Sequence, residues 1–172
     1  MGGPDGGGGI AMTKKRAGLS EVAKYIVLAV MLIYVVVLML FTSGSNKSFE
    51  EVSEAVSASI DTENLTEMSE RMLKRNFGLN SADYDGVMYY ASESSMSVEE
   101  VLLIKVKSRG QIQEVTDALD ERTQARIAAF EGYGSEEVRL LEDAQQSVRG
   151  RFIFFAVSSQ AGEYRSVFDS SL

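Results

Sequence analysis

The chain has 172 residues with one proline, no cysteine, histidine or tryptophan, and a formal charge of −8. Lack of cysteine excludes disulfides, thiol nucleophiles, a lipidated cysteine and Cys-ligated metals. Lack of histidine removes the usual general base and the commonest zinc ligand, so a Ser-His-Asp triad, a zinc hydrolase and a papain-like protease are all excluded.

The charge is uneven along the chain. Residues 1–24 carry four basic side chains against two acidic ones, whereas from Lys47 onward 13 basic face 23 acidic, an excess of −10. Such an acidic segment repels a phosphate backbone, so nucleic acid is not expected as a partner.

In chain order, "MGGPDGGGGI" holds six glycines and opens a tail, expected over residues 1–21, that has nothing with which to build a core. A transmembrane helix is expected over 22–42. Tyr25 to Phe41 is 17 residues without charge, glycine or proline, which spans about 25 Å as a helix, close to the thickness of a bilayer's hydrocarbon core. Lys14, Lys15 and Arg16 precede the run, which puts the N-terminus on the cytoplasmic side and the acidic C-terminal part outside the cell membrane. A cleaved signal peptide is the alternative, with small residues in "FTSGS" near a cut. The run is longer and more β-branched than a signal's apolar region, which favours an uncleaved signal anchor. Residues 43–48 read as a linker and 49–172 as an extracytoplasmic domain.

In that domain Ser48 and Glu51 form a capping box for a first helix, with Phe49, Val52 and Val56 on one face. A second helix is expected over residues 65–76, stopped by Gly78 in the left-handed conformation. "VMYYA" and "VLLIKVK" read as an antiparallel strand pair. Ile112, Val115, Leu119, Ile127 and Phe130 mark a long amphipathic helix, and "SEEVRLLEDA" a shorter one. "QQSVRGRFIFFAVSS" reads as a hairpin turning at Arg149-Gly150, its apolar second strand central, and "EYRSVFDSSL" as a closing helix. The expected fold is α+β: a two-layer domain with a four-stranded antiparallel sheet and helices on one face, preceded by one transmembrane helix. "LLIKVKS" and "FIFFAVS" occupy matching places and suggest a faint internal duplication.

"NFGLNSADYDGVMYY", "SVEEVLLIKVK", "RTQARIAAFEGYGSEEVRLLEDA" and "VRGRFIFFAVS" together resemble a family of uncharacterised clostridial extracytoplasmic domains, over roughly residues 50–170. The resemblance implies a lipoprotein signal or a single membrane anchor, and the missing cysteine leaves the anchor. It implies no activity and no catalytic positions.

Candidate sites are few. On a calcium loop Asp83, Asp85 and Gly86 would take the third, fifth and sixth positions, but Ser81 and Ser92 would stand where the first and twelfth need carboxylates; a turn fits better. Glu99 and Glu100 point to opposite faces of a strand and so are no acid–base pair. Lys105 is expected on a solvated outer sheet face. Tyr84, Tyr89, Tyr90 and Tyr133 offer an aromatic platform for glycan or peptide, or sit at core margins with wet hydroxyls; Tyr84, Tyr89 and Tyr133 are the candidate binding residues. In "EGYGSEE" Gly132 stops a helix, Ser135 caps the next, and Glu136 and Glu137 repel an anion from its first turn. Tyr133 is then a core-edge plug or a presented contact.

No cofactor, metal or catalytic residue is expected. The reading is a single-pass, membrane-anchored binding module of the cell envelope, whose partner is an envelope protein, peptide or glycan. The alternative is a carboxylate-dependent enzyme such as a glycan hydrolase, which needs two acids converging in one cleft.

Overall fold

The computed structural model describes residues 2–3, 19–42 and 47–172, with the side chains of 19–22 and 37–42 excepted. The chain divides into two units, residues 1–41 and 42–172. The expected tail at 1–21 and linker at 43–48 fall mostly outside the described residues. In the first unit one helix, α1, runs Leu19–Thr42. Its large apolar side chains from Tyr25 to Val36 are exposed. Among the described residues no helix is long and apolar enough to cross a membrane.

The second unit opens with α2 (Phe49–Ser57). Its capping box is reciprocal: Glu51 N donates to Ser48 Oγ at 3.1 Å and Ser48 N to Glu51 Oε2 at 3.1 Å. Strand β1 (Thr66–Glu67) and helix α3 (Glu70–Phe77) follow. The second helix therefore begins later than residue 65, because residues 66–67 are drawn into the sheet and Met68 N donates to Tyr89 O at 2.8 Å. Gly78 ends α3 at φ 73°, a conformation that costs glycine little. Then come β2 (Gly86–Ala91), β3 (Glu100–Lys105), α4 (Ile112–Phe130), α5 (Ser135–Glu142), β4 (Gln145–Arg149), β5 (Phe152–Val157) and α6 (Ala161–Ser171).

The sheet has five strands in the order β1-β2-β3-β5-β4, every neighbouring pair antiparallel. The fifth is β1, two residues at an edge and too short to show alternation in the sequence. Helices cover both faces instead of one. On one face Leu73 and Phe77 of α3, Val115 and Leu119 of α4, and Leu141 of α5 pack on Leu102, Ile104 and Phe155. On the other, Val52 and Val56 of α2 and Tyr164 and Phe168 of α6 pack on Leu103, Phe152 and Phe154. The cause lies in the central strands. All six residues of β5 are buried, and so are five of six in β3, and a strand apolar on both sides needs a cover on each.

Lys105 is the exception in β3, and it does not stand on a bare face. At the strand's end its Nζ donates to Lys47 O at 2.8 Å and lies 5.0 Å from the centre of the Phe152 ring. The duplication is not carried through the packing either. Antiparallel neighbours such as β3 and β5 are exchanged by a twofold normal to the sheet, which keeps each helix on its own side. Here α4 covers one face and α6 the other.

The corner between α4 and α5 keeps the expected left-handed stop at Gly132 but not the expected cap at Ser135. Gly132 has φ 92°, and the residue before α5 is Gly134, with no side-chain cap. Ser135 is already inside the helix. Gly134 is enclosed, since a Cβ there would stand 2.6 Å from Phe130 Cδ1 and 2.9 Å from Glu137 Oε2.

Candidate binding cleft

A cleft of ≈ 510 Å³ opens where α3, α4 and the loop from β2 to β3 meet the sheet. Its wall begins with Glu100, the first residue of β3, which alternates inward with Leu102 and Ile104 and is only 2 % exposed. A carboxylate so enclosed requires compensation. Arg122 of α4 supplies it with two bonds, Nε to Oε1 at 3.2 Å and Nη2 to Oε2 at 3.1 Å. The Tyr89 hydroxyl donates to Oε2 at 2.9 Å, and Asn76 Nδ2 donates in turn to Tyr89 Oη at 2.8 Å. Burial and then the Glu100 charge hold the Tyr89 phenol well above its usual range. Phe77 closes this network from below, its ring centre 5.4 Å from that of Tyr89 and 5.5 Å from the Arg122 guanidinium.

One turn further along α4, Arg126 has no carboxylate partner. Its Nη2 donates to Ser97 O at 2.6 Å, and the guanidinium lies 4.8 Å from the Phe130 ring centre. Its Nε is buried without a partner. Burial, then the charge of Arg122, push its pKa down. Arg75 of α3 lines the same cleft and makes no hydrogen bond or ion pair with the described residues. The loop above is serine-rich and folds on its own hydroxyls: Ser94 N donates to Ser92 Oγ, Met96 N to Ser94 Oγ and Glu99 N to Ser97 Oγ. Met68, Met72 and Val98 supply the apolar part of the lining.

The three candidate tyrosines do not converge. Tyr89 is in the wall of the cleft. Tyr84 is buried and lines a smaller cavity of ≈ 260 Å³ that also touches Tyr89. Burial, then Glu114 and Asp83, raise the Tyr84 phenol to about 12. Tyr133 is 66 % exposed on the α4–α5 corner, its ring centre 5.5 Å from that of Phe130. Tyr90 lies on the opposite sheet face, beside the cluster of α2 and α6.

The matched family stands on this same stretch. A model of a domain of unknown function, DUF4358, matches residues 58–158, more than half of the chain. The chain belongs to the DUF4358 family. Neither a curated protein nor a solved structure matches it. The DUF4358 match takes in all five strands and every residue of the cleft, and leaves out α1, α2 and α6.

Among the acidic candidates of this DUF4358 domain, Asp85, Glu99 and Glu100 have side-chain partners, whereas Asp83 accepts only through its backbone carbonyl, from Gln111 Nε2. Asp85 pairs with Arg151 at 2.6 Å, and Glu99 accepts from Ser158 Oγ at 2.9 Å, away from Glu100 and Arg122. Among the described residues no group of three or more acidic side chains is placed to hold a metal ion. Sequence reasoning overlooked Asn76, Arg75, Glu100, Arg122 and Arg126 as a group. A signal exists in hindsight: Val115, Leu119, Arg122, Arg126 and Phe130 follow one another at helical spacing, so two arginines share the buried stripe of α4.

Proposed function

We propose that this DUF4358 chain is a binding module tethered to the cell membrane by its N-terminal apolar helix, with the α+β domain outside and the Arg122–Arg126 cleft as its binding site. The single observation that carries the binding reading is the built wall of the cleft: Asn76, Tyr89, Glu100 and Arg122 are locked to one another, while Arg75 and Arg126 are left to meet a ligand. A pre-organised polar wall beside an apolar patch is how small-ligand sites fix orientation. Support for the tether comes from the uncharged run Tyr25–Phe41 and the basic cluster before it.

The hydrolase alternative has less support. Glu93, Glu99 and Glu100 all line the cleft, but Glu100 accepts three hydrogen bonds and Glu99 is held by Ser158, so no free acid–base pair faces the space. The test is a titration of isotope-labelled full-length protein in nanodiscs with wall-derived glycopeptides and short envelope peptides. Shifts confined to residues 92–99 and to α3 and α4 support the module. Unmoved cleft signals across the panel overturn it, and release of cleaved sugar turns the reading to the hydrolase.

A further inference from the structure

Three guanidiniums line the cleft, and they are not equivalent. Arg122 is neutralised by Glu100. Arg126 is bound only to a carbonyl and an aromatic face, with Nε enclosed and unpartnered. Arg75 has no acceptor among the described residues. For the half-buried Arg126, a guanidinium without an anion is an uncompensated cost that an incoming anion removes; the exposed Arg75 adds a second donor at the mouth.

The remaining charges limit what that anion can be. Glu93 also lines the cleft, and the region from Lys47 onward carries an excess of −10. A phosphate monoester or polyanion would bring more negative charge into this acidic surround, whereas one carboxylate can accept from two guanidiniums through its two oxygens while adding a single charge. Beside the arginines lie Met68 and Met72, both half-buried, whose thioether chains adapt to an apolar group.

We propose that the cleft takes a ligand bearing a single carboxylate on an apolar stem, the carboxylate meeting Arg126 and Arg75 and the stem lying on Met68 and Met72. This deepens the binding-module reading and rests on it. Two sources share the chemistry: the C-terminus of a peptide and a free aliphatic acid. The wall of Asn76, Tyr89, Glu100 and Arg122 ties the two arginine-bearing helices to the sheet and fixes the shape of the cleft, while Arg126 and Arg75 make the charged contacts.

The experiment titrates labelled full-length protein in nanodiscs with four probes: N-acetyl-leucine, its amide, hexanoate and inorganic phosphate. The expected result is binding of one or both acids at the cleft, with the amide weaker by about tenfold or more, since it offers no charge to the guanidiniums. Tighter binding of N-acetyl-leucine assigns the peptide source, and tighter binding of hexanoate the aliphatic one. Arg75→Gln, at an exposed position that leaves the fold alone, and Arg126→Gln should each weaken the acids by a similar factor. If Arg126→Gln lowers the melting temperature, Arg75→Gln decides by itself. Equal binding of acid and amide, equal binding of phosphate, or unchanged affinity in Arg75→Gln overturns the carboxylate inference while the module stands. Silence from all four probes also overturns it, and the module is then judged by the panel of glycopeptides and envelope peptides.

Discussion

Arg122 lies across Glu100 with two nitrogens on two oxygens, at 3.2 and 3.1 Å, and the carboxylate beneath it is almost wholly enclosed. Removing one partner leaves a charge in the core. Arg122→Leu should cost about 3–5 kcal/mol, whereas Arg122→Leu with Glu100→Leu should cost far less, because both charges go together. Urea denaturation of the two variants checks this; equal losses would mean that the pair is screened by water.

Gly86 begins β2 directly beneath the ring of Phe49, so that a Cβ there would overlap the ring. Gly86→Ala should destabilise by about 1–3 kcal/mol through overpacking. Phe49→Ala in the same chain should recover part of that loss, and a double-mutant cycle reads the recovery as coupling between α2 and β2.

The Tyr84 phenol is raised to about 12 by burial, then by Glu114 and Asp83, against about 10 in the unfolded chain. Between those values the folded state keeps a proton that the unfolded state has released. Stability is therefore flat below pH about 10 and falls as pH rises toward about 12. Tyr89 and Tyr90 are raised as well and act in the same direction. Urea midpoints at pH 9 and pH 11 should differ, and Tyr84→Phe should reduce the difference.

The chain has no cysteine, so one introduced cysteine reports its own location. With the proposed topology, Ser95→Cys reacts with a membrane-impermeant maleimide in intact cells and Thr13→Cys only after permeabilisation. The reverse pattern would put the domain inside. An intact mass beginning near Asn46 would show that the apolar run is removed.

The features legible in the sequence were local. Ser48 and Glu51 are three residues apart, Gly78 follows a helical stripe, and Ile112 to Phe130 keeps one period throughout, so each element carried its own signal. What escaped was relational. Lys105 looked like the mark of a wet sheet face, but it stands at the last position of β3, where the covering layer ends. β1 has only two residues, too few for a pattern. Glu100 and Arg122 are 22 positions apart and meet only because α4 lies on β3, so the wall of the cleft existed in no single stretch of sequence.

The covering of the second sheet face has a consequence for the order in which the domain is made. α2, at the front of the domain, buries Val52 and Val56 in a cluster completed by Tyr164 and Phe168 of α6, at its back. β5, which lies between β3 and β4 inside the sheet, is the last strand in chain order among the described residues. A growing chain that has reached residue 150 thus holds the meander β1-β2-β3 and a lone β4 without the strand that joins them, and a first helix that lacks its α6 partner. Completion of the sheet and of its second cover waits for β5 and α6, so a chain cut before residue 152 leaves the edges of β3 and β4 open to aggregation.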